Sequence, residues 1–180
     1  MRKINKKITD QAVIVDILNT CQVGRLGTVG RDGRPMIKPL NFVFHEGRIY
    51  FHCAREGEKL DDIGRDNRVC FEVDLPVAYV KGTPENPCRA EYFYRSVIVR
   101  GRAHIVHDRA ERLLALDLLM AKYQPEGGYG HYAEEKLELT AIVRIDIEEM
   151  SGKEELGKGE IREQALRALA ENVHMPFVIE

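Results

Sequence analysis

Gly57 and Lys59 are the residues whose types and spacing point most directly to chemistry. They follow an apolar run that ends at Cys53-Ala54, and they stand where a short amphipathic helix is predicted to begin. Backbone N–H groups at a helix start point outward, the helix dipole attracts an anion, and a lysine adds a positive charge. The spacing therefore predicts a phosphate cradle. Most strand–loop–helix junctions bind nothing, so a solvent-exposed Lys59 without a ligand is the alternative.

Three further polar residues lie in or beside apolar runs. Arg25 is flanked by glycines in GRLG, where it either supplies a second cation or lies exposed in a turn. Asn41 offers a donor and an acceptor, so it either satisfies neighbouring backbone groups or contacts the edge of a bound heterocycle. His52 alternates with Phe51, which places it either beside a ligand at the surface or in a packed, hydrogen-bonded position.

Strand alternation argues against metal and nucleophilic chemistry. His104 and His107 are three residues apart on one predicted strand and face opposite sides, which disfavours a shared metal ion. Adjacent His52 and Cys53 also face opposite sides, which disfavours a nucleophile–base pair. The four cysteines include no C-x-x-C pair, so free thiols in a reducing compartment are expected and a zinc site is not.

The composition is that of a globular protein without a general attraction to nucleic acid. The 180 residues are 44% hydrophobic and 31% charged, with a net charge of −2. Arginines and tyrosines at residues 92–100 are scattered, so we expect no nucleic-acid partner. The basic start MRKINKK is not followed by an apolar segment, so we expect neither a secretory signal nor a membrane span, and we expect a cytoplasmic protein.

Hydrophobic periodicity predicts a mainly β protein with peripheral helices. Six strands are predicted, at residues 21–29, 35–44, 48–53, 68–73, 92–107 and 137–150. Helices are predicted at residues 10–20, 58–66, 108–122 and 161–172, the third of which opens with a capping box.

Turn signals connect these elements into an antiparallel barrel. Asp32-Gly33 and Glu46-Gly47 predict tight turns that join the first three strands into a meander. Closure of the sheet would remove its exposed edges. Residues 74–91 are predicted to be a long connection and residues 124–132 a glycine-rich one. We expect a barrel domain over residues 1–150, with a C-terminal loop and helix over residues 151–180 packed on it.

Several stretches together resemble one known family. They are VGRLGTV, DGRPMIKPLNFVF, GRIYFHCAREGEK and RVCFEVD, followed by YRSVIVRGRA, LLMAKYQPEGG and IVRIDIEEMSGK. In this order they resemble the pyridoxamine 5'-phosphate oxidase-like, FMN-binding split-barrel proteins, and within them the nitroimidazole-resistance (Nim-type) flavoproteins. The pairing of PLNF with YFHCAREGEK at this spacing is the most specific part of the resemblance.

The resemblance implies a six-stranded antiparallel split β-barrel that forms a homodimer, with one FMN in each of two clefts between the subunits. FAD is also compatible, because its adenylate can extend into solvent. The implied cofactor contacts are Lys38, Pro39, Leu40 and Asn41 along the isoalloxazine, His52, Cys53 and Ala54 beside the ring and ribityl chain, Gly57, Glu58 and Lys59 at the phosphate, and Arg95 and Ser96 from the other side. Arg25 is added to these cofactor contacts as a second cation because of its position between glycines, not because of the resemblance. His52 is the implied functional histidine.

The resemblance also implies a redox function. We expect electrons to pass from a reduced donor such as NAD(P)H through the flavin to a small acceptor. Glu58 stands where the true oxidases carry a basic residue, so oxidation of a vitamin B6 phosphate is not expected. The alternatives are a non-catalytic flavin or haem carrier, for which His104, His131 and His174 are candidate iron ligands, and a deazaflavin-dependent reductase.

Overall fold

The computed structural model describes residues 4–171 and 177–179, which form a nine-stranded sheet with five α-helices. The strands are β1 (Lys7–Ile8), β2 (Gly24–Val29), β3 (Pro35–Leu40), β4 (Val43–His45), β5 (Arg48–Ala54), β6 (Arg68–Val80), β7 (Glu91–Ile105), β8 (Thr140–Glu155) and β9 (Phe177–Ile179). The helices are α1 (Gln11–Thr20), α2 (Glu58–Arg65), α3 (Arg109–Tyr123), α4 (Glu134–Leu139) and α5 (Gly159–Ala170).

The strand order shows how the sheet becomes a barrel. Hydrogen bonding runs in the order β3-β2-β6-β7-β8-β5-β4, while β1 pairs with β8 and β9 with β6. The two ends of this path, β3 and β4, are separated in sequence only by Asn41 and Phe42. Three Cα steps span at most about 11 Å, so the sheet edges must approach each other at this point. The result is a mainly antiparallel split β-barrel with flanking helices, as the sequence predicts.

The predicted second strand is therefore divided, and the predicted three-strand meander is wrong. β3 pairs with β2, and β4 pairs with β5, but β3 and β5 are far apart in the strand order. The division falls where Phe42, a fully buried residue, bonds through its backbone to the Tyr123 hydroxyl of α3. A tertiary contact has replaced the strand pairing that local alternation predicts.

The chain separates into two compact units. One comprises residues 18–73 and 98–150 and contains β2 to β5 and parts of β6, β7 and β8; Tyr50, Val106, Ala115 and Ile142 pack in its core. The other comprises residues 1–17, 74–97 and 151–180, and its core includes Val77, Phe93, Leu156 and Ala165. Residues 1–17 and 74–97 thus group with the C-terminal segment in the second unit.

Two connections are more regular than the sequence predicts. β6 continues to Val80, so only residues 81–90 connect it to β7, because Val77, Ala78 and Val80 are buried in the core of their unit. The proline-based prediction of a loop from residue 74 is wrong there. The short helix α4 was not predicted, and it delays the start of β8 to Thr140.

The N-cap half of the predicted capping box of α3 is confirmed. Asp108 Oδ1 accepts a hydrogen bond of 2.8 Å from the backbone N–H of Glu111. The Glu111 carboxylate in turn accepts from Tyr50 Oη at 3.0 Å and from Arg144 Nη1 at 3.0 Å. One residue thereby ties the start of α3 to β5 and β8.

Among the helices within the described residues, none combines the length and hydropathy needed to cross a bilayer.

Candidate functional site

The start of α2 has the geometry of the predicted cradle. Gly57 is its N-cap and has φ of +127°, a region that favours glycine, and no side chain caps the helix. The Gly57 carbonyl accepts from the N–H groups of Leu60 at 2.9 Å and Asp61 at 3.2 Å. The amides of Glu58 and Lys59 belong to the first turn, where helical geometry provides no internal acceptor. They are donors available to an anion.

Lys59 points towards the barrel rather than into bulk solvent. Its Nζ lies 5.2 Å from the centroid of the buried Phe51 ring and near enough to the Cys53 thiol to influence its ionisation. Burial raises the pKa of the Cys53 thiol, and the Lys59 ammonium opposes this rise. The simple alternative of a fully exposed lysine is therefore not what the structure shows, because this cation lies half-buried over β5.

The opposite side of the α2 start is more acidic. Lys38 Nζ contacts the Glu58 carboxylate, so these two charges offset each other. A groove of about 450 Å³ beside them is lined by Glu58, Asp61 and Asp62 together with Arg31 and Arg65. An anion is therefore favoured on the Lys59 side of the helix and not on this side.

A buried network that the sequence analysis did not identify fixes α2 against β2. Asp62 is 1% exposed; it accepts from Thr28 Oγ1 at 2.8 Å and from Arg65 Nη2 at 2.7 Å. Arg65 also donates to the Val29 carbonyl at 2.5 Å. The Arg65 hydrogen bond, followed by that of Thr28, holds the pKa of Asp62 below its usual value although burial opposes this. The available signal was Thr28, which alternates with buried Leu26.

The β3 candidates lie at the sheet edge. Pro39 is exposed and stands opposite Arg25 of β2, while Leu40 is half-buried. Arg25 Nη1 donates to Glu72 Oε2 at 3.1 Å, so its charge is paired across β2 and β6. Asn41 Nδ2 donates to the Gln22 carbonyl at 3.2 Å. The amide nitrogen of Asn41 therefore satisfies a neighbouring backbone group, which is the first of the two roles considered for this residue.

His52 and Cys53 face opposite sides of β5. Cys53 shares its side with Phe51 and Lys59, whereas exposed His52 lies on the other side, opposite Ile142 in the register. Ala54 is exposed at the strand end. The structure therefore brings Lys59 and Cys53 together and leaves His52 on the opposite side from this pair.

Arg95 and Ser96 belong to the other compact unit. Arg95 Nε donates to Glu154 Oε2 at 3.1 Å, and the two side chains are only 12% and 17% exposed. Glu154 also accepts from Arg162 at 2.5 Å. The Arg95 guanidinium thus has a buried ionic partner within its own unit.

A second network that sequence reasoning missed holds the break between β3 and β4. Tyr123 Oη accepts a hydrogen bond from Phe42 N at 2.9 Å. The hydroxyl lies 2.6 Å from the Gln22 carbonyl oxygen and 3.0 Å from the Phe42 carbonyl oxygen, and these two acceptors share its one proton. Neighbouring Lys122 donates to Leu18 O at 3.1 Å and sits 3.9 Å from the Phe42 ring centroid. Burial lowers the pKa of Lys122 to about 8.

Within residues 4–171 and 177–179, no group of three or more His, Cys, Asp or Glu side chains is arranged to hold a metal ion. Of the histidines considered as iron ligands, His104 Nε2 lies 3.6 Å from Asp146 and His131 is exposed. His174 lies outside the described residues.

The barrel, its split between β3 and β4, and the helix start after β5 define the class as a split-barrel protein. A family profile described as "Pyridoxamine 5'-phosphate oxidase" matches residues 10–154. The chain therefore belongs to the pyridoxamine 5'-phosphate oxidase family, which confirms the resemblance found in the sequence. No curated protein matches the sequence.

Solved structures support the same fold. A Bacteroides thetaiotaomicron protein named for 5-nitroimidazole antibiotic resistance is 24% identical, with a TM-score of 0.71 over 82% of this chain and 85% of that one. The flavocytochrome Anf3 from Azotobacter vinelandii is 21% identical, with a TM-score of 0.76 over 91% and 77%. A FAD and haem binding protein from Mycobacterium smegmatis is 20% identical, with a TM-score of 0.75 over 91% and 80%. At these identities the likeness establishes the fold.

Proposed function

We propose that this protein binds FMN at the start of α2 and passes electrons from a reduced nicotinamide to a small acceptor. The observation that carries the proposal is Lys59, a half-buried cation beside a glycine-capped helix start at the end of β5. Family membership supports it, and so do the names of similar structures, which mention FAD and a flavocytochrome.

The residues present fit a flavin phosphate on one side of α2. Lys59 and the first-turn amides supply positive charge and N–H donors, and the positive φ of Gly57 turns the backbone into the helix. Cys53 lies beside Lys59 and would border the ribityl chain. Flavin, when bound, supplies the hydride and electron transfer. The chain's own task is to bind, orient and shield it.

Lys38 is the residue whose contacts would change most if FMN bound as proposed. In the structure its ammonium is paired with Glu58, so contact with an anionic cofactor requires it to leave that carboxylate or to share it. Lys38, Pro39, Leu40 and Asn41 would line the ring from β3, and His52 would approach the cofactor from the other side of β5. Arg95, Ser96 and Arg25 remain proposed contacts.

We further propose a homodimer, with β3 on the contact surface. The register places Gly27 between Ile37 and Cys70, so this row of the outer face of β3-β2-β6 carries apolar and small residues, and Ile37 is 66% exposed. Pro35 and Pro39 lack N–H groups, which disfavours pairing of β3 with another strand. A second copy covering this face, rather than extending the sheet, accounts for both features.

Light scattering tests the dimer. Ile37→Glu should give a monomer, whereas Leu139→Glu, at a position that is also 66% exposed but lies on α4, should not. A natural protein that is monomeric at micromolar concentration with FMN bound would overturn the dimer.

Analysis of the ligand released from the purified protein tests the function. Denaturation followed by mass spectrometry should yield FMN, and the native absorption spectrum should show flavin bands that NADH or NADPH bleaches. FAD in the released fraction would correct the cofactor. A flavin that no nicotinamide reduces would favour the carrier, reduction only by a deazaflavin would favour the reductase, and a Soret band would favour a haem protein.

A further inference from the structure

A groove where β5 and β7 end and β8 begins carries two arginines and a histidine over an apolar floor. Arg55, His107 and Arg112 line it together with Leu60, Val106 and Ala141, and its volume is about 270 Å³. We call it the cationic groove. All of its residues belong to the barrel-containing unit. Apolar walls with a few convergent polar groups are typical of small-molecule sites.

Arg112 is held in a fixed orientation at this groove. Its Nη2 donates to the Thr140 carbonyl at 3.0 Å and also to the Leu137 carbonyl. A guanidinium carries five N–H donors, so Nε and Nη1 are left for another acceptor. A planar, oriented guanidinium matches a carboxylate or phosphate in a bidentate geometry.

The positive charge of the groove is only partly offset by its surroundings, because the Glu134 carboxylate, which pairs with Arg109, also acts electrostatically on Arg112. In the part of the chain that the structure describes, no acidic side chain lines it. Three nearby acids bind elsewhere: Glu111 to Arg144, Glu134 to Arg109, and Asp108 to the backbone of Glu111. The groove therefore favours an anion.

We infer that the cationic groove binds a small organic anion, a compound with one carboxylate or phosphate on a compact apolar body. A volume of about 270 Å³ lies just below the roughly 300–1,000 Å³ typical of sites for drug-sized ligands. It holds a single substituted ring more readily than a flavin. The inference does not depend on the proposed flavin function.

Calorimetric titration of the full chain with salicylate tests the anion site, with uncharged salicyl alcohol as the matched compound. Salicylate should bind at least roughly tenfold more tightly, since a hydrogen bond to a charged partner is involved. Inorganic phosphate, titrated separately, shows whether the phosphate group alone suffices. Equal affinity for salicylate and salicyl alcohol, or no binding of either anion at millimolar concentration, overturns the inference.

Variants locate the site. Arg55→Gln and Arg112→Gln should each weaken salicylate binding roughly tenfold. Arg100→Gln, on β7 but paired with Glu149 outside the groove, should change it less than twofold. Arg55 is exposed, so its variant stays informative if loss of Arg112 impairs folding. Unchanged affinity in a folded Arg55→Gln protein overturns the assignment.

The relation to the cofactor site is measured in the same protein. Salicylate binding that persists at saturating FMN supports a separate site. Displacement of salicylate by FMN places the groove within the cofactor site and overturns its independence. Salicylate binding in a protein that fails to bind FMN would refute the proposed function and leave the anion site standing.

Discussion

Lys59→Ala tests the phosphate cradle most directly. The natural side chain is half-buried, with Nζ over Phe51 and beside Cys53. Its position is already defined before a ligand arrives, so little side-chain entropy remains to be lost on binding. Loss of one charge-assisted hydrogen bond costs about 1–3 kcal/mol. The Kd for FMN should therefore rise about 5- to 150-fold at constant ionic strength.

The same substitution has a second consequence that does not involve flavin. The Lys59 ammonium opposes the rise in the Cys53 pKa that burial causes. Without the ammonium the thiol pKa should rise further, and the thiolate fraction at pH 8 should fall. Alkylation of Cys53 by iodoacetamide should become slower. Peptide mapping is needed, because Cys70 and Cys88 are exposed and react as well.

Fluorescence titration of FMN and alkylation of Cys53 are measured on both proteins, with Lys136→Ala as the control. Lys136 is an exposed lysine of α4. Lys136→Ala should change neither the Kd for FMN nor the alkylation rate of Cys53. Unchanged FMN affinity in folded Lys59→Ala would refute the cradle. An unchanged Cys53 alkylation rate would show that the Lys59–Cys53 contact does not exist in solution.

Three further outcomes are expected. Gly57→Ala should destabilise the protein by about 1 kcal/mol or more because φ is +127°. Gly64→Ala, inside α2 with open space around it, should be neutral or stabilise by up to about 1 kcal/mol, so urea unfolding should show a loss of stability only for Gly57→Ala. Tyr123→Phe should cost about 2–4 kcal/mol because Phe42 N and the Gln22 and Phe42 carbonyls lose their shared partner, and exposed Tyr129→Phe is the control. The pKa of Asp62 is lower in the folded than in the unfolded protein, so its ionisation stabilises the fold above the unfolded pKa of about 3.9, and this stabilisation is lost as pH falls through the folded pKa. The free energy of unfolding, measured from pH 6 to pH 2, should therefore depend less on pH in Asp62→Asn.

The sequence predicted features that rest on local patterns. The N-cap at Asp108 and the helix start at Gly57–Glu58 depend on residues a few positions apart, and both form. The barrel class followed from alternation and turn signals. Lys59 was correctly placed at a helix start, but its inward orientation over Phe51 depends on the packing of α2, which spacing does not specify.

Features that depend on distant residues were missed. Nothing near Phe42 indicates that Tyr123 holds its backbone, so an uninterrupted strand was predicted through residue 44. Asp62 looks like an ordinary surface acid beside Asp61, and only the position of Thr28 makes it a buried anchor. Arg55 is more than 50 residues away from His107 and Arg112 in the sequence, and the three converge through the strand order and the packing of α3.

The seam between β3 and β4 also constrains the order in which the molecule assembles. Phe42 is secured by a residue 81 positions later in the chain. A nascent chain emerging from the ribosome cannot complete the seam until the end of α3 has been made, and contacts at such separation form slowly. Until then the early strands form an open sheet whose edge is unpaired. During this interval the chain is most prone to aggregate and most in need of a chaperone.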